Sequence, residues 1–233
     1  MATPPPSFPP RLTFGSLAIY PRKPLTTQLQ KDASAFIVSG VKRDAVTTRT
    51  NPPRSYIQIA IDKLVELLPG SCLDGFFDSG AVLVAAPGSA LSRANSVSPT
   101  RSICKALRDA GLGSEISTCL QRVKAIRKSA YCAPGERPEA IEHYETMAVD
   151  LPLHAQPPER ILLVDDVITR GATVMAAAAR LRDAYPGAVI DVFALARTET
   201  IGDRFYDPCV GEITIWPNGT NVQRHDSVGL LNE

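Results

Sequence analysis

Residues 161–173 read ILLVDDVITRGAT, and this stretch decides the fold of the chain. Its first four residues are branched aliphatic residues and predict a fully buried strand. Asp165 and Asp166 end that strand, and from Ala172 to Tyr185 apolar residues recur at helical spacing. The sequence therefore predicts a strand, an acidic end, a short turn and a helix. Because open α/β sheets bind ligands at the carboxyl ends of their strands, the two acids lie where a ligand is expected.

The turn between the acids and the helix has the residue types that bind a phosphate group. The first backbone N–H groups of a helix lack partners and carry partial positive charge. Thr169 and Thr173 add hydroxyl donors, and Gly171 permits a close approach of the backbone. Asp165 and Asp166 would repel a phosphate at contact, so their expected targets are hydroxyls, a divalent metal or a developing positive charge. A ribose phosphate offers all three.

This pattern resembles the phosphoribosyl pyrophosphate (PRPP) signature of the type I phosphoribosyltransferases, an apolar strand followed by an acid pair and a Thr-x-Gly-x-Thr turn. The resemblance implies that the two carboxylates bind the ribose 2- and 3-hydroxyls, and hold Mg²⁺ directly or indirectly. The implied ribose 5-phosphate site consists of Asp165, Asp166, Val167, Ile168, Thr169, Arg170, Gly171, Ala172 and Thr173. The alternative is an ordinary acidic strand end followed by a threonine N-cap.

The composition fits one α/β domain. The chain has 233 residues, and its 25 Lys and Arg residues nearly balance its 24 Asp and Glu residues, which argues against a dedicated nucleic-acid binder. Strands that alternate with helices predict a mostly parallel central sheet with helices on both faces. Further strands are expected at residues 17–20, 81–86, 146–149 and 189–196, helices at 57–68 and 99–110, and either type at 116–123.

The two ends of the chain are predicted to lie outside this core. Residues 1–12 are proline-rich at their start and predict a flexible tail, which leaves 13–233 as the domain. In type I enzymes a small variable hood binds the acceptor, and the resemblance places it at 13–54, at 202–233 or at both. Phe205, Tyr206 and Trp216 either stack on a base there or belong to the core.

A second turn follows the strand predicted at 81–86. It could expose backbone N–H groups to an anion, or it could be an ordinary connection from strand to helix. In type I phosphoribosyltransferases the corresponding loop binds pyrophosphate. The resemblance therefore assigns that role to Ala86, Pro87, Gly88, Ser89 and Arg93.

Residues 121–137 are basic, lack a sustained apolar period and predict a loop that is mostly mobile. The order of basic segment, Glu136-Arg137 pair and short strand resembles the flexible loop of the ComF branch of the family. It implies a catalytic role over pyrophosphate for Arg122, Lys124, Arg127 and Lys128, although a solvated charge run would look the same. The sequence departs from that branch because its cysteines lack the spacing of a zinc module and because Ser98-Pro99 replaces a common Asn-Gln pair.

Five cysteines without a Cys-x-x-Cys pair, no recognisable signal peptide and no apolar run of about twenty residues predict a cytoplasmic protein with reduced thiols and no membrane partner. His143, His154 and His225 are isolated in sequence and are expected at the surface. A homodimer is left open.

The PRPP resemblance implies a phosphoribosyltransferase of the glycosyltransferase class. It would bind PRPP and Mg²⁺ and transfer ribose 5-phosphate to an unidentified nitrogenous acceptor, with release of pyrophosphate. One alternative is a non-catalytic protein that senses PRPP or a nucleotide, which fits the weaker match at the second turn. The other is nucleic-acid binding through the basic stretch, which the near-neutral charge disfavours.

Overall fold

The computed structural model describes residues 6–92, 98–128, 132, 136–150 and 156–226. Its helices are α1 (Gln28–Ala35), α2 (Tyr56–Leu67), α3 (Pro99–Asp109), α4 (Ala140–Glu145) and α5 (Ala172–Ala184). A π-helical turn, Phe36–Gly40, and a 3₁₀ turn, Val41–Arg43, continue α1. The strands are β1 (Arg11–Pro21), β2 (Val46–Thr47), β3 (Arg54–Ser55), β4 (Val82–Ala85), β5 (Ile116–Ser117), β6 (Leu120–Arg122), β7 (Met147–Val149), β8 (Arg160–Ile168), β9 (Val189–Glu199), β10 (Tyr206–Ile215) and β11 (Val222–Asp226).

Seven of these strands form one sheet in the order β11-β10-β1-β9-β8-β4-β5. The strands from β1 to β5 in that order are all parallel to their neighbours. The strands β10 and β11 extend the sheet with antiparallel pairs. The prediction of a mostly parallel central sheet is therefore confirmed, and the parallel strands end at one common edge.

Strand β8 shows why helices cover both faces of this sheet. Ile161 and Leu163 contact the cluster that contains the buried residues of α5, whereas Leu162 and Val164 contact the cluster formed by α2 and α3. All four side chains are at most 3% exposed. A strand that is buried on both sides has no polar face, which is why its sequence is a continuous apolar run.

The helices predicted from apolar spacing are present, and their ends follow familiar sequence rules. The hydroxyl of Ser55 accepts N–H bonds at the start of α2, and Pro99 begins α3. Both helices are followed by a glycine with positive φ, Gly70 at +73° and Gly111 at +76°, a conformation that glycine adopts without steric cost.

The prediction of a flexible tail at residues 1–12 is wrong for its second half, and residues 1–5 lie outside the described part. Leu12 is 4% exposed within β1. The ring of Phe8 meets that of Tyr144 edge-on, with 5.8 Å between the centroids. Proline prevents a helix but not an extended segment, so the apolar side chains beside the prolines still reach the core.

The expected location of the hood is also corrected. Strand β1 lies within the sheet between β9 and β10, so residues 13–21 belong to the core. Strands β10 and β11 occupy most of the described part of 202–233, and along β10 burial alternates from one residue to the next, as expected for a strand with one covered face. The segment between β1 and α2 remains as the candidate hood.

The ambiguous stretch 116–123 forms two strands rather than a helix. Strand β5 pairs with β4, and β6 pairs with β7 in a separate two-stranded sheet. Arg122 is therefore part of a strand and not of the predicted loop. Among the described residues, no helix combines the length and apolar character that a membrane span requires.

Candidate functional site

A cleft of about 850 Å³ lies at the carboxyl edge of the parallel strands. The ends of β1, β8 and β9 form its floor, and the start of α5 forms one side. Its described lining residues are Tyr20, Pro21, Arg22, Lys23, Lys42, Arg137, Pro138, His143, Asp165, Val167, Ile168, Thr169, Arg170, Gly171, Ala172, Thr173, Val174 and Thr198. Asp165, the first of the two predicted acids, and the hydroxyl-containing turn predicted from the sequence thus face one cavity.

The turn that enters α5 depends on Gly171. This residue has φ of +98°, and a Cβ at its position would lie 2.7 Å from the side chain of Ile213. The first helical hydrogen bond runs from the N–H of Met175 to the carbonyl of Gly171 at 2.9 Å. The N–H groups of the three residues between them therefore have no partner within the helix, and all three residues line the cleft.

The alternative interpretation of the turn as a threonine N-cap is wrong. The N-cap of α5 is Gly171, and within the described part of the chain no side-chain hydrogen bond caps this helix. The hydroxyl of Thr169 lies 3.2 Å from that of Thr198 at the end of β9. Because no threonine of the turn caps the helix, the first backbone N–H groups of α5 remain available to an anion, as the phosphate-site prediction requires.

Arg224 supports this turn from β11, a residue that sequence reasoning missed. Its guanidinium donates to the carbonyls of Ile168, Thr169 and Thr198 at 3.0, 2.9 and 2.8 Å. The carboxylate of Asp226 accepts two further bonds from it at 2.7 and 2.9 Å. The side chain is 5% exposed, so these charge-assisted bonds form away from bulk water and fix the start of the turn.

The two acids differ in their surroundings. Asp165 lines the cleft, whereas Asp166 does not appear among the described lining residues. The Oδ1 atom of Asp165 accepts the N–H of Asp166 at 2.8 Å, and that of Asp166 accepts the N–H of Val167 at 2.7 Å. Burial, reinforced by the adjacent charge of Asp166, raises the pKa of Asp165 from 3.8 to about 8. A group that donates hydrogen bonds to Asp165 would favour its ionised form.

The second turn and the basic stretch, predicted separately, contact each other. Ala86 and Pro87 are buried, and Gly88 is exposed with no heavy atom within 4 Å of a Cβ built on it. The carbonyl of Ser89 accepts the N–H of Ile126 at 3.0 Å. Arg93 lies outside the described residues. The described members of the candidate pyrophosphate loop do not appear among the described residues that line the cleft.

Arg122 joins these two segments. Its guanidinium is buried and donates to the carbonyl of Gly88 at 2.9 Å, to that of His143 at 3.2 Å and to the hydroxyl of Thr146. A longer bond of 3.4 Å reaches the carbonyl of Pro87. Burial lowers the pKa of Arg122 to about 10, so it stays charged at neutral pH. The structure thus gives Arg122 a fixed position, in which it joins the loop after β4 to its neighbours, and does not place it on a mobile segment.

The other three cations of the predicted loop, Lys124, Arg127 and Lys128, are exposed. Arg127 forms an ion pair of 3.4 Å with Glu142, in which both side chains are exposed. Residues 129–131 and 133–135 lie outside the described part. The role of these cations over pyrophosphate and the mobility of the loop therefore stay predictions.

His143 is a further residue that the sequence did not indicate, since it was expected at the surface. It is 4% exposed, lines the cleft, and has its Nδ1 atom 3.3 Å from the guanidinium of Arg122. Burial, with the charge of Arg122, lowers its pKa to about 4, so it is neutral at pH 7. His225 is exposed as expected, and His154 lies outside the described residues.

The aromatic residues considered for base stacking belong elsewhere. The rings of Phe205 and Tyr206 meet the ring of Phe36, with centroid distances of 5.3 and 6.3 Å. Trp216 is 56% exposed at the end of β10, and none of these residues appears among the described lining of the cleft. The core alternative for Phe205 and Tyr206 is therefore confirmed.

Comparisons with known proteins find only remote likeness, and it lies among solved structures. No protein-family model matches the chain, and no curated protein matches it. Among solved structures, the crystal structure of adenine phosphoribosyltransferase from Leishmania tarentolae is similar over 61% of this chain and 70% of that one. The sequence identity is 14% and the TM-score is 0.29, which is too remote to assign a function.

Replacing Asp165 by asparagine should stabilise the ligand-free protein. With its pKa raised to about 8, the folded protein binds more protons than the unfolded chain between pH 4 and 8. The free energy of unfolding therefore falls as pH rises through that window. Asp165→Asn removes this loss. We expect the free energy of unfolding to rise by about 1–3 kcal/mol at pH 8 and to change little at pH 4. Urea denaturation at both pH values measures it.

The control is Asp203→Asn, because the side chain of Asp203 is 91% exposed and its replacement should leave the stability unchanged at both pH values. If Asp165→Asn is less stable than the parent at pH 8, the carboxylate is held favourably in the folded protein and the account of its environment fails.

Replacing Arg224 by methionine should destabilise the protein by about 2–4 kcal/mol, because three carbonyls and the carboxylate of Asp226 lose a buried charged donor. Urea denaturation followed by circular dichroism measures this loss. Arg182→Met, at an exposed position of α5, is the matched control and should change the stability by less than about 0.5 kcal/mol. Equal stability of the two variants would remove Arg224 as the support of the turn.

Proposed function

We propose that this chain is a phosphoribosyltransferase, which binds PRPP with Mg²⁺ and transfers ribose 5-phosphate to a nitrogen nucleophile with release of pyrophosphate. One observation carries the proposal: Asp165 and the uncapped start of α5 line the same cleft at the carboxyl edge of a parallel sheet. A phosphate and a neighbouring polyol need this pairing of unpaired amides with a nearby carboxylate.

In this proposal the turn from Thr169 to Thr173 binds the 5-phosphate through its amides and hydroxyls, and Arg170 adds a positive charge beside it. Asp165 accepts hydrogen bonds from the ribose hydroxyls, and Asp166 holds the backbone next to it in place through its bond to Val167. The hydroxyl donors stabilise the ionised form of Asp165, so ligand binding offsets the cost of burying this carboxyl group.

The chemistry is a displacement at the anomeric carbon through a state with cationic character on the sugar. A carboxylate beside the ring stabilises that positive charge, while cations beside the leaving group stabilise the negative charge that develops there. Lys124, Arg127 and Lys128 are the described candidates for the second role. Arg122 is assigned a positioning role, because its donors already bond to the loop and to its neighbours.

The residues of the cleft fit a magnesium ion that is bound mainly by substrate. Within the described residues there is no group of three or more His, Cys, Asp or Glu side chains that could hold a metal by themselves. Mg²⁺ is commonly held by one or two carboxylates together with substrate phosphates. Asp165 and Asp166 would contribute directly or through the ribose hydroxyls, and the bound ion would neutralise charge on the pyrophosphate.

The more specific assignment to the ComF-like branch rests on the order of the basic segment, the Glu136-Arg137 pair and β7. Arg137 supports it, since this residue lines the cleft and its Nε atom is buried without a hydrogen-bond partner within the described chain. A ligand oxygen in the cleft would satisfy that donor.

A sensing protein that binds PRPP without turnover is the second candidate. It is favoured by the position of Ala86 to Ser89, which lie outside the cleft in this conformation. Release of pyrophosphate from PRPP in the presence of any nitrogen nucleophile would exclude it.

Calorimetric titration with PRPP and Mg²⁺ tests the proposed function. We expect saturable binding by the parent protein, and at least a hundredfold weaker binding by the double variant Asp165→Asn/Asp166→Asn, because the ribose hydroxyls lose Asp165 as their charged acceptor and the backbone beside it loses the Asp166 carboxylate. Asp203→Asn is again the matched control and should bind like the parent. Unchanged affinity in the double variant would refute the assignment.

Replacing Lys124, Arg127 and Lys128 together by alanine should leave the affinity for ribose 5-phosphate within about threefold of the parent but slow pyrophosphate release at least tenfold, since only the leaving group loses cations. Arg182→Ala serves as a charge-loss control away from the loop. A release rate equal to that of the parent would remove the proposed role of these cations.

A further inference from the structure

The part of the cleft beside β1 is positively charged. Arg22 and Lys23 follow this strand directly, and Lys42 reaches the cleft from the 3₁₀ turn in the candidate hood. Within the described part of the chain, none of the three forms an ion pair with a carboxylate, whereas the arginines of β9 and β11 do. Exposed cations are often only solvated, but these three converge on one concave surface.

The strand order separates this surface from the candidate pyrophosphate loop. Strand β8 carries the proposed ribose site, the loop follows β4 on one side of it, and β9 and β1 lie on the other side. When a nucleophile displaces a leaving group from the opposite face, the two groups must lie on opposite sides of the reacting carbon. If pyrophosphate leaves towards β4, the acceptor therefore comes from the side of Arg22 and Lys23, where Lys42 lies over the ring of Tyr20 at the end of β1.

The same surface offers little for stacking on a neutral base. Among the described lining residues Tyr20 supplies the phenyl-type ring, and the ammonium group of Lys42 lies 5.5 Å from its centroid. The rings of Phe205 and Tyr206 are occupied in contacts with Phe36. Recognition on this side therefore depends on charge more than on aromatic contact.

We propose that the acceptor is a nitrogen nucleophile with a carboxylate or phosphate group, and that Lys42, with Arg22 and Lys23, binds this anionic group. The inference rests on the proposed function, because the acceptor side is defined relative to the ribose site. It narrows the substrate class from any nitrogenous acceptor to anionic ones.

Calorimetry on protein saturated with ribose 5-phosphate and Mg²⁺, at 150 mM salt as roughly physiological ionic strength, tests it with three matched pairs of probes. The pairs are 2-aminobenzoate and aniline, pyridine-3-carboxylate and pyridine-3-carboxamide, and 2-aminoethyl phosphate and 2-aminoethanol. We expect the anionic member to bind at least tenfold more tightly in at least one pair. A preference in the first two pairs identifies a carboxylate site, and one in the third a phosphate site.

Lys42→Met should reduce this preference to less than threefold. Arg43→Met is the matched control, since Arg43 is the next residue of the same turn and is exposed but does not appear among the described lining residues. It should keep the preference. Equal affinities within all three pairs, no binding by any probe, or a preference that survives Lys42→Met would overturn the inference.

The first step of the same experiment separates this inference from the proposed function. If the parent protein does not bind ribose 5-phosphate, the proposed function fails, and no acceptor side can be defined relative to a ribose site. If ribose 5-phosphate binds and the anionic probes show no advantage, the proposed function stands and only the acceptor class is wrong.

Discussion

The left-handed conformation of Gly171 is the constraint on which the site depends. It turns the chain from the end of β8 into α5 within a few residues, so the unpaired amides of the helix lie beside the acidic strand end. The side chain of Ile213 fills the space that a Cβ would need. A larger residue would be strained in its backbone and would also clash, and the amides would no longer meet a ligand held over the strand.

Buried charge holds the loops around this point. Arg224 binds the ends of β8 and β9, and Arg122 binds the loop after β4 to α4 and to Thr146, which follows α4. Each guanidinium has several donors in a fixed plane, so one side chain satisfies carbonyls of several chain segments at once. The two arginines stabilise the folded protein, whereas Asp165 destabilises it. Its burial beside Asp166 costs stability unless a ligand donates a hydrogen bond to its carboxylate.

The elements that could be predicted are those determined by residues close together in the sequence. The apolar run of β8, the glycine turn and the helical spacing of α5 each lie within a few residues, and the parallel sheet follows from their repetition. Residues 202–233, which contain β10 and β11, are one of the two places where the resemblance allows a hood, whereas burial along β10 alternates as in a strand of the sheet.

The supporting residues could not be found in this way. Arg224 contacts Ile168 across 56 positions and Arg122 contacts Gly88 across 34, so no local pattern marks either as a support. Likewise, His143 and Arg137 reach the cleft only because the start of α4 and the segment before it lie against it. Sequence alone therefore located the glycine turn and the acids but not the side chains that fix them.

The most direct measurement is a titration of isotope-labelled protein with ribose 5-phosphate, followed by the chemical shifts of the backbone amides. The account predicts that the largest changes fall on Gly171, Ala172, Thr173 and Val174, with smaller changes at Asp165 and Asp166. Saturable changes confined to other parts of the molecule, or no change at these amides at millimolar ligand, would contradict it.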